Sequence, residues 1–330
     1  MTTFVDRHRS DFNYVNIAGS IGSFGDILWR DQAGDDVLWT MIENTPSTVG
    51  VLPRVTPDWH VKAAAEFDTA GNNGNADILW QNDNGALALW QMLGTTVTAM
   101  HELPNPGPTW HVVGDNDFNA DIGDDIVFQN DNGALAMWIA ISAGQGTVGA
   151  MLAGTQNPGP TWHVVGTGDT NGDGVAGVLW QNDNGALALW ESPTFGAGTF
   201  TFNTVVALPS VDHSWHVKGM ADLNVPGDNE ADIVFQNDNG TVVVWEMGGA
   251  AGTTILAKNL INPNPGPSWH IVGLRDMNKD GQADILWQND NGAAAVWENY
   301  QSVGNGTAFF FTVLPIDPNP NPNGHVWDLL

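Results

Sequence analysis

Gln81-Asn82-Asp83-Asn84-Gly85 lies between two apolar runs, Asp77-Ile78-Leu79-Trp80 and Ala86-Leu87-Ala88-Leu89-Trp90, and it decides the reading of this chain because it recurs. The same five residues stand at 129–133, 181–185, 236–240 and 288–292. Each copy follows a short apolar run and precedes another that closes on Trp138, Trp190, Trp245 or Trp297. A degenerate sixth copy, DILWRDQAGDDVLW, occupies 26–39. A repeat of about fifty residues made of strand-length pieces implies an array of β-blades, each burying its faces against the next.

Asp-Asn-Gly between apolar runs is hairpin chemistry: a type I turn, then a residue in the left-handed region where glycine meets no steric penalty. In ALALW the alternation of Leu and Ala leaves neither face polar, so the strand is expected to be buried on both sides. The last unit gives the full plan. SWHIVG (268–273) reads as a first strand, ILW (285–287) as a second, AAAVWEN (293–299) as a third and TAFFFTVLP (307–315) as a fourth, after the connector INPNPGP (261–267). Four such strands per unit, packed face to face around an axis, predict an all-β fold, a β-propeller of four-stranded blades.

Six repeats are recognisable within a single domain over 1–330, at approximately 14–54, 59–104, 110–154, 162–208, 215–258 and 269–315; seven blades are the alternative. The first-strand tryptophans Trp59, Trp110, Trp162, Trp215 and Trp269 are 51, 52, 53 and 54 residues apart, the drift left by duplication with loop changes. Tyr14 takes the equivalent place in the first unit. The tail GHVWDLL (324–330) resembles a first strand and would either close the ring or begin a seventh blade.

Thirty-seven acidic residues against nine basic ones give a net charge of −28. No cationic surface is available to displace counterions from a phosphate backbone, which excludes nucleic acid as a partner and argues against anionic membranes. So much like charge in a compact body repels itself unless neutralised, and bound divalent cations would neutralise it. The chain has no cysteine, so disulfides and thiolate metal sites are excluded. No apolar stretch approaches the length of a membrane span, and MTTFVDRHRSDF has no apolar signal core. The expectation is an extracellular protein that is exported without an N-terminal signal or is a fragment of a larger secreted protein.

Between its first and second strands the last unit reads Asp276-x-Asn278-x-Asp280-Gly281-Gln282-x-Asp284. Oxygen ligands at alternate positions, a glycine for the sharp turn, the carbonyl of Gln282 and a closing carboxylate suit a hard cation such as Ca²⁺. Counted from each first-strand Trp, the loop recurs in register. Unit four offers Asp169, Asn171, Asp173 and Val175, with Gly177 in place of the closing carboxylate. Unit three offers Asp117, Asn119, Asp121 and Asp125; unit five offers Asp222, Asn224, Asp228 and Asp232 around an insertion. Unit two has Glu66, Asp68 and Asp77 with a further insertion, and unit one, IGSFGD (21–26), has almost no ligands. The competing explanation is that Asp and Asn merely make the Asx bonds of turns.

WHVVG, D-x-N-x-D-G-x-x-D, an I-L/V-W/F strand and a tight hairpin together resemble the FG-GAP/VCBS repeat family, calcium-binding β-propellers like integrin α-subunit heads and certain lectins. The resemblance covers about 14–315 and is best at 276–284. It implies a structural calcium ion and a non-enzymatic module of lectin-like or adhesive kind, with a glycan or an extracellular protein surface as partner. A scaffold piece of a larger secreted protein is the alternative. A propeller glycosidase or lyase is a further one, although no nucleophile elbow, phosphate loop or zinc motif occurs and no acidic pair stands apart.

Two other repeated residue types bear on the site. His60, His111, His163, His216 and His270 each follow a first-strand Trp and are expected to hydrogen-bond between neighbouring blades. The strand tryptophans are expected in the blade cores, while any left exposed beside Asn and Asp suit sugar rings. The QNDNG turns and NPGP connectors would share one rim, so a ligand is expected at repeated rim sites.

Overall fold

In every unit that carries it, the QNDNG cassette closes the hairpin between the second and third strands. In unit two Asn82 N–H donates to Ala86 O and Gly85 N–H to Asn82 O, both at 2.8 Å, while Asn84 Oδ1 accepts from Ala86 N–H at 2.8 Å. Gly85 has φ +87°, as the turn requires. The computed structural model describes residues 26–31, 34–42, 45–67, 76–121, 123–223, 229–278, 280–302, 306–316 and 327–329. These residues form strands, turns and connectors, with no helix among them.

Unit six has strands Trp269–Arg275, Asp284–Asn289, Ala294–Ser302 and Thr307–Ile316, antiparallel in sequence order. Units two to five repeat this plan, down to a shift of register at one place in the first strand: Val61/Ala63, Val112/Gly114, Val164/Gly166, Val217/Gly219 and, in unit six, Ile271/Gly273. Unit one has Ile27–Asp31, Asp36–Ile42 and Thr45–Val51, and its first-strand edge is held by the C-terminal Trp327–Leu329. There Trp29 pairs with Leu329 and Asp31 with Trp327. Tyr14 lies outside the described residues.

Within each blade an aromatic of the second strand leans on the Trp of the third. The ring centroids are 5.1 Å apart for Trp29–Trp39, 4.9 Å for Trp80–Trp90 and Trp180–Trp190, 4.7 Å for Phe128–Trp138 and Phe235–Trp245, and 4.8 Å for Trp287–Trp297. Such tilted pairs add ~0.5–1.5 kcal/mol beyond the area they bury.

The core is divided among the joints between units. Leu223, Val234 and Val244 of unit five pack with Ile285 and Trp287 of unit six. Leu286 and Val296 of unit six pack in turn with Ile27 and Trp29 of unit one. Equivalent clusters join one to two, two to three, three to four and four to five. Among the described residues each unit therefore has two neighbours and the series closes on itself. Units four and six have longer outer hairpins that reach back to the preceding unit through short parallel pairings, Ala153 with Thr199 and Leu260 with Thr307.

Candidate binding rim and acidic loops

The second strand runs from the acidic loop to the QNDNG turn, so these two features lie at opposite ends of each blade. At the turn end, the cassette Gln links adjacent blades. Gln81 Nε2–H donates to Trp110 O at 2.7 Å, and its Oε1 accepts from Val112 N–H at 2.9 Å. Gln129 makes the same pair of bonds to Trp162 O (2.6 Å) and Val164 N–H (3.1 Å), and Gln236 to Trp269 O (2.6 Å) and Ile271 N–H (3.0 Å). The carboxamide acts as an extra peptide unit and satisfies buried backbone groups of the next blade.

The histidines do something other than the sequence suggests. His60 Nε2 lies 2.8 Å from Asp83 Oδ1, and the pairs His111–Asp131, His163–Asp183 and His216–Asp238 share that distance; His270–Asp290 is at 2.7 Å. Each pair is inside one blade. The reason is register: His60 faces Gln81 across the hairpin, which leaves its ring beside the turn residue two positions on. The link between blades belongs to Gln. A separation of 20 residues between His and the cassette Asp in units three, four and six, lengthened to 23 and 22 by the insertions of units two and five, was the signal that would have found these pairs in the sequence.

The cassette glycine is constrained twice. Besides its positive φ, a Cβ at Gly85 would lie 2.3 Å from Gly107 of the following connector, and one at Gly133 would lie 2.3 Å from Gly159 O. Where turn and connector meet, a cleft opens between blades. The one between units two and three has a volume of about 220 Å³ and is lined by His60, Lys62, Asn82, Asp83, Pro108, Trp110 and His111. The next, of about 100 Å³, is lined by His111, Asn130, Asp131, Pro160 and His163. Both are smaller than the ~300–1,000 Å³ pockets of drug-sized ligands, so each suits one small polar group or ring. All five first-strand tryptophans are half-buried, and the paired Asp side chains are 63–70% exposed. A separate axial cavity of about 240 Å³ lies where the first strands of units three to six converge, with Asp115, Lys218 and Arg275 in its wall. Burial lowers the pKa of Lys218 there.

At the other end, the acidic loops are laced by Asx bonds. Asp276 Oδ1 accepts from Asp280 N–H (3.1 Å), its Oδ2 from Gly281 N–H (2.9 Å), and Asp280 Oδ1 from Gln282 N–H (2.9 Å). Asp169 and Asp173 make the corresponding bonds in unit four, as do Asp117, Asn119 and Asp121 in unit three. The closing carboxylates are buried: Asp125 accepts from Phe118 N–H at 3.0 Å and Asp284 from Met277 N–H at 2.8 Å. Burial, with neighbouring carboxylates adding to it, pushes both pKa values up to about 8. Asn224, Asp228 and Asp68 lie outside the described residues.

The oxygen-only donor set at alternate positions fits a hard cation. Two further details agree with it: among the described residues no donor reaches the buried Asp284 Oδ1, and the amide of Asn119 bridges Asp121 and Asp125 where a cation's charge would serve better. Among the described residues no three His, Asp or Glu side chains converge on one point. Loading would therefore require loop carboxylates to turn away from the backbone N–H groups they now accept from. Glu191, which no sequence pattern singled out, is also fully buried, with its pKa raised to about 8 by burial and partly offset by Thr170.

Fold and site together define a β-propeller with repeated polar clefts on one rim and acidic loops on the other. No family model and no curated protein matches the chain. Among solved structures it is similar to BBS1N in complex with ARL6DN, at 13% identity over 83% of this chain and 75% of that one, with a TM-score of 0.42.

Proposed function

We propose that this protein is a non-enzymatic binding module, a six-bladed propeller with calcium in its acidic loops. In this reading it takes saccharides or similar polar extracellular ligands at the rim clefts. One observation carries the proposal: an exposed His–Asp pair recurs on the turn rim in five units, and in two of them it lines a cleft between blades, with Trp110 beside it in the first. A site built from a repeated unit is itself repeated, which suits multivalent recognition and not a single reaction centre. An indole face stacks on the C–H face of a sugar ring, while Asp, Asn and His bond its hydroxyls. The resemblance of the acidic loops to FG-GAP/VCBS repeats supports calcium, which would offset part of the charge of −28.

Each cleft should bind weakly, with Kd ~0.1–1 mM and useful strength from avidity. Titration calorimetry with monosaccharides and short oligosaccharides, in calcium and in chelator, tests this. Several weak equivalent sites that Asp131→Ala depletes are expected; a single tight site, or turnover of any glycan, overturns it. A second reading, a scaffold that packs against protein by its perimeter, draws on exposed Val51, Met100, Met151, Leu256 and Val313 of the outermost strands. Silence across a glycan array would favour that reading.

A further inference from the structure

Unit four departs from the loop pattern at Gly177, where units two, three, five and six have Asp77, Asp125, Asp232 and Asp284. Those four carboxylates are buried and accept from backbone N–H groups of their own blade, such as Met92, Phe118, Met247 and Met277. In unit four another carboxyl group fills the space. A Cβ built on Gly177 would lie 2.2 Å from the carboxyl carbon and both oxygens of Glu191. Glu191 comes from the third strand, directly after Trp190, and is fully buried.

A third position changes in step. The residue after the first loop ligand is Phe67, Phe118, Leu223 or Met277 in units two, three, five and six, but Thr170 in unit four. Thr170 is fully buried, and its hydroxyl donates to Glu191 Oε1 at 2.7 Å. Among the described residues no donor reaches the buried Glu191 Oε2, and Thr170, which holds the other oxygen, stands between the loop ligands Asp169 and Asn171. The turn does not need this arrangement. The Asx bonds from Gly172, Gly174 and Val175 N–H to Asp169 and Asp173 are complete without Glu191.

We infer that the unit-four loop takes a divalent cation once its carboxylates turn from the backbone, and that its closing carboxylate has moved from the second strand to the third, with Glu191 replacing the aspartate that Gly177 lacks. This rests on the reading of the acidic loops as calcium sites. A buried carboxylate oxygen with no partner is unfavourable on its own, and a cation in the loop is the partner that satisfies it. The longer glutamate side chain spans the added distance from the third strand. Gly177 leaves it room, and Thr170 holds the oxygen that does not face the ion.

Calcium alone is the probe, with the number of ions bound by the intact chain measured by calorimetry and equilibrium dialysis. Glu191→Gln should lose one equivalent, or weaken one site at least tenfold, while melting like the parent in chelator. The double change Gly177→Asp/Glu191→Ala returns the carboxylate to the second strand and should restore that equivalent. Asp173→Asn, on the exposed side of the loop, should remove the same ion without touching the core, and should remove nothing further from Glu191→Gln. An unchanged number and affinity of sites in Glu191→Gln or in Asp173→Asn overturns the inference while calcium binding by the other loops stands. A parent chain that binds no calcium overturns the reading of the loops and this inference with it.

Discussion

The two ends of the ring respond differently to the same duplication. On the turn rim each cassette residue of unit three has a partner, and two of those partners belong to the next blade: the first-strand backbone that Gln129 grips and the connector that Gly133 approaches. At the loop end the side-chain bonds are local, from an Asp to a backbone N–H two to five residues on, and the link to the next blade is a backbone bond: Asp117 O accepts from Ala176 N–H, Asp169 O from Ala231 N–H and Asp222 O from Ala283 N–H. Past that first residue the loops of units three, four and six are tied to themselves, and it is there that the sequence of units two and five carries insertions, whereas a turn whose side chains grip its neighbour cannot change length. Uniformity on the rim is therefore first a packing requirement. What packing leaves over, the exposed Asp and His facing each cleft, is the part free to recognise a ligand.

The largest effect separating the two ends should come from calcium. At 100 times its Kd each ion contributes ~2.7 kcal/mol to stability, so several loops together should raise the melting temperature by many degrees. Asp280→Ala should remove about 1–3 kcal/mol of that calcium-dependent gain. Identical melting curves in calcium and chelator would mean that the loop end is held by its own hydrogen bonds without a cation.

Glycine substitutions sharpen the contrast next. Gly133→Ala meets both a positive φ and the carbonyl of Gly159, and should cost about 2–4 kcal/mol. Gly174→Ala, with φ +81° but open space around it, should cost about 1 kcal/mol. Equal losses in urea melts would show that the connector yields. Gln129→Ala leaves Trp162 O and Val164 N–H without their partner and should cost about 1–3 kcal/mol. Asn132→Ala, at the exposed tip of the same turn, loses one solvent-facing bond and should cost under about 1 kcal/mol.

The last contrast is a pH dependence in unit one, which has almost none of the loop ligands. Burial pushes Asp36 from 3.8 up to about 7, with Arg30 opposing the shift and Asp31 and Asp35 adding to it. A carboxyl group with a raised folded pKa binds its proton more tightly in the native state. Its contribution is thus fully present below pH 3.8 and is lost as pH rises toward 7. Asp36→Asn should flatten that slope and leave the protein more stable than the parent at pH 8, as read from urea midpoints at pH 5 and pH 8. A parallel pH dependence in the two chains would show that Asp36 stays ionised throughout.

The cassette and the spacing of Trp59, Trp110, Trp162, Trp215 and Trp269 were enough to read four-stranded units in series, since strand period, turn chemistry and repeat length are local properties written along the chain. The aromatic pairs were half legible: Trp80 and Trp90 were expected in the core, but their leaning on each other depends on hairpin register. Two things lay beyond the sequence, and a third, the closing of the ring by the tail, was one of two outcomes it offered; each requires residues distant in the chain to meet. Gln81 reaches Trp110, 29 residues on, because the connector returns the next first strand beside it. Trp327–Leu329 takes the first-strand edge of unit one because the ring brings the two ends of the chain together. Glu191 stands in the space left by Gly177 because antiparallel pairing puts their strands side by side. Sequence periodicity determined what each blade is made of; only packing around the closed ring decided which polar groups cross from one blade to the next and where a missing carboxylate was replaced.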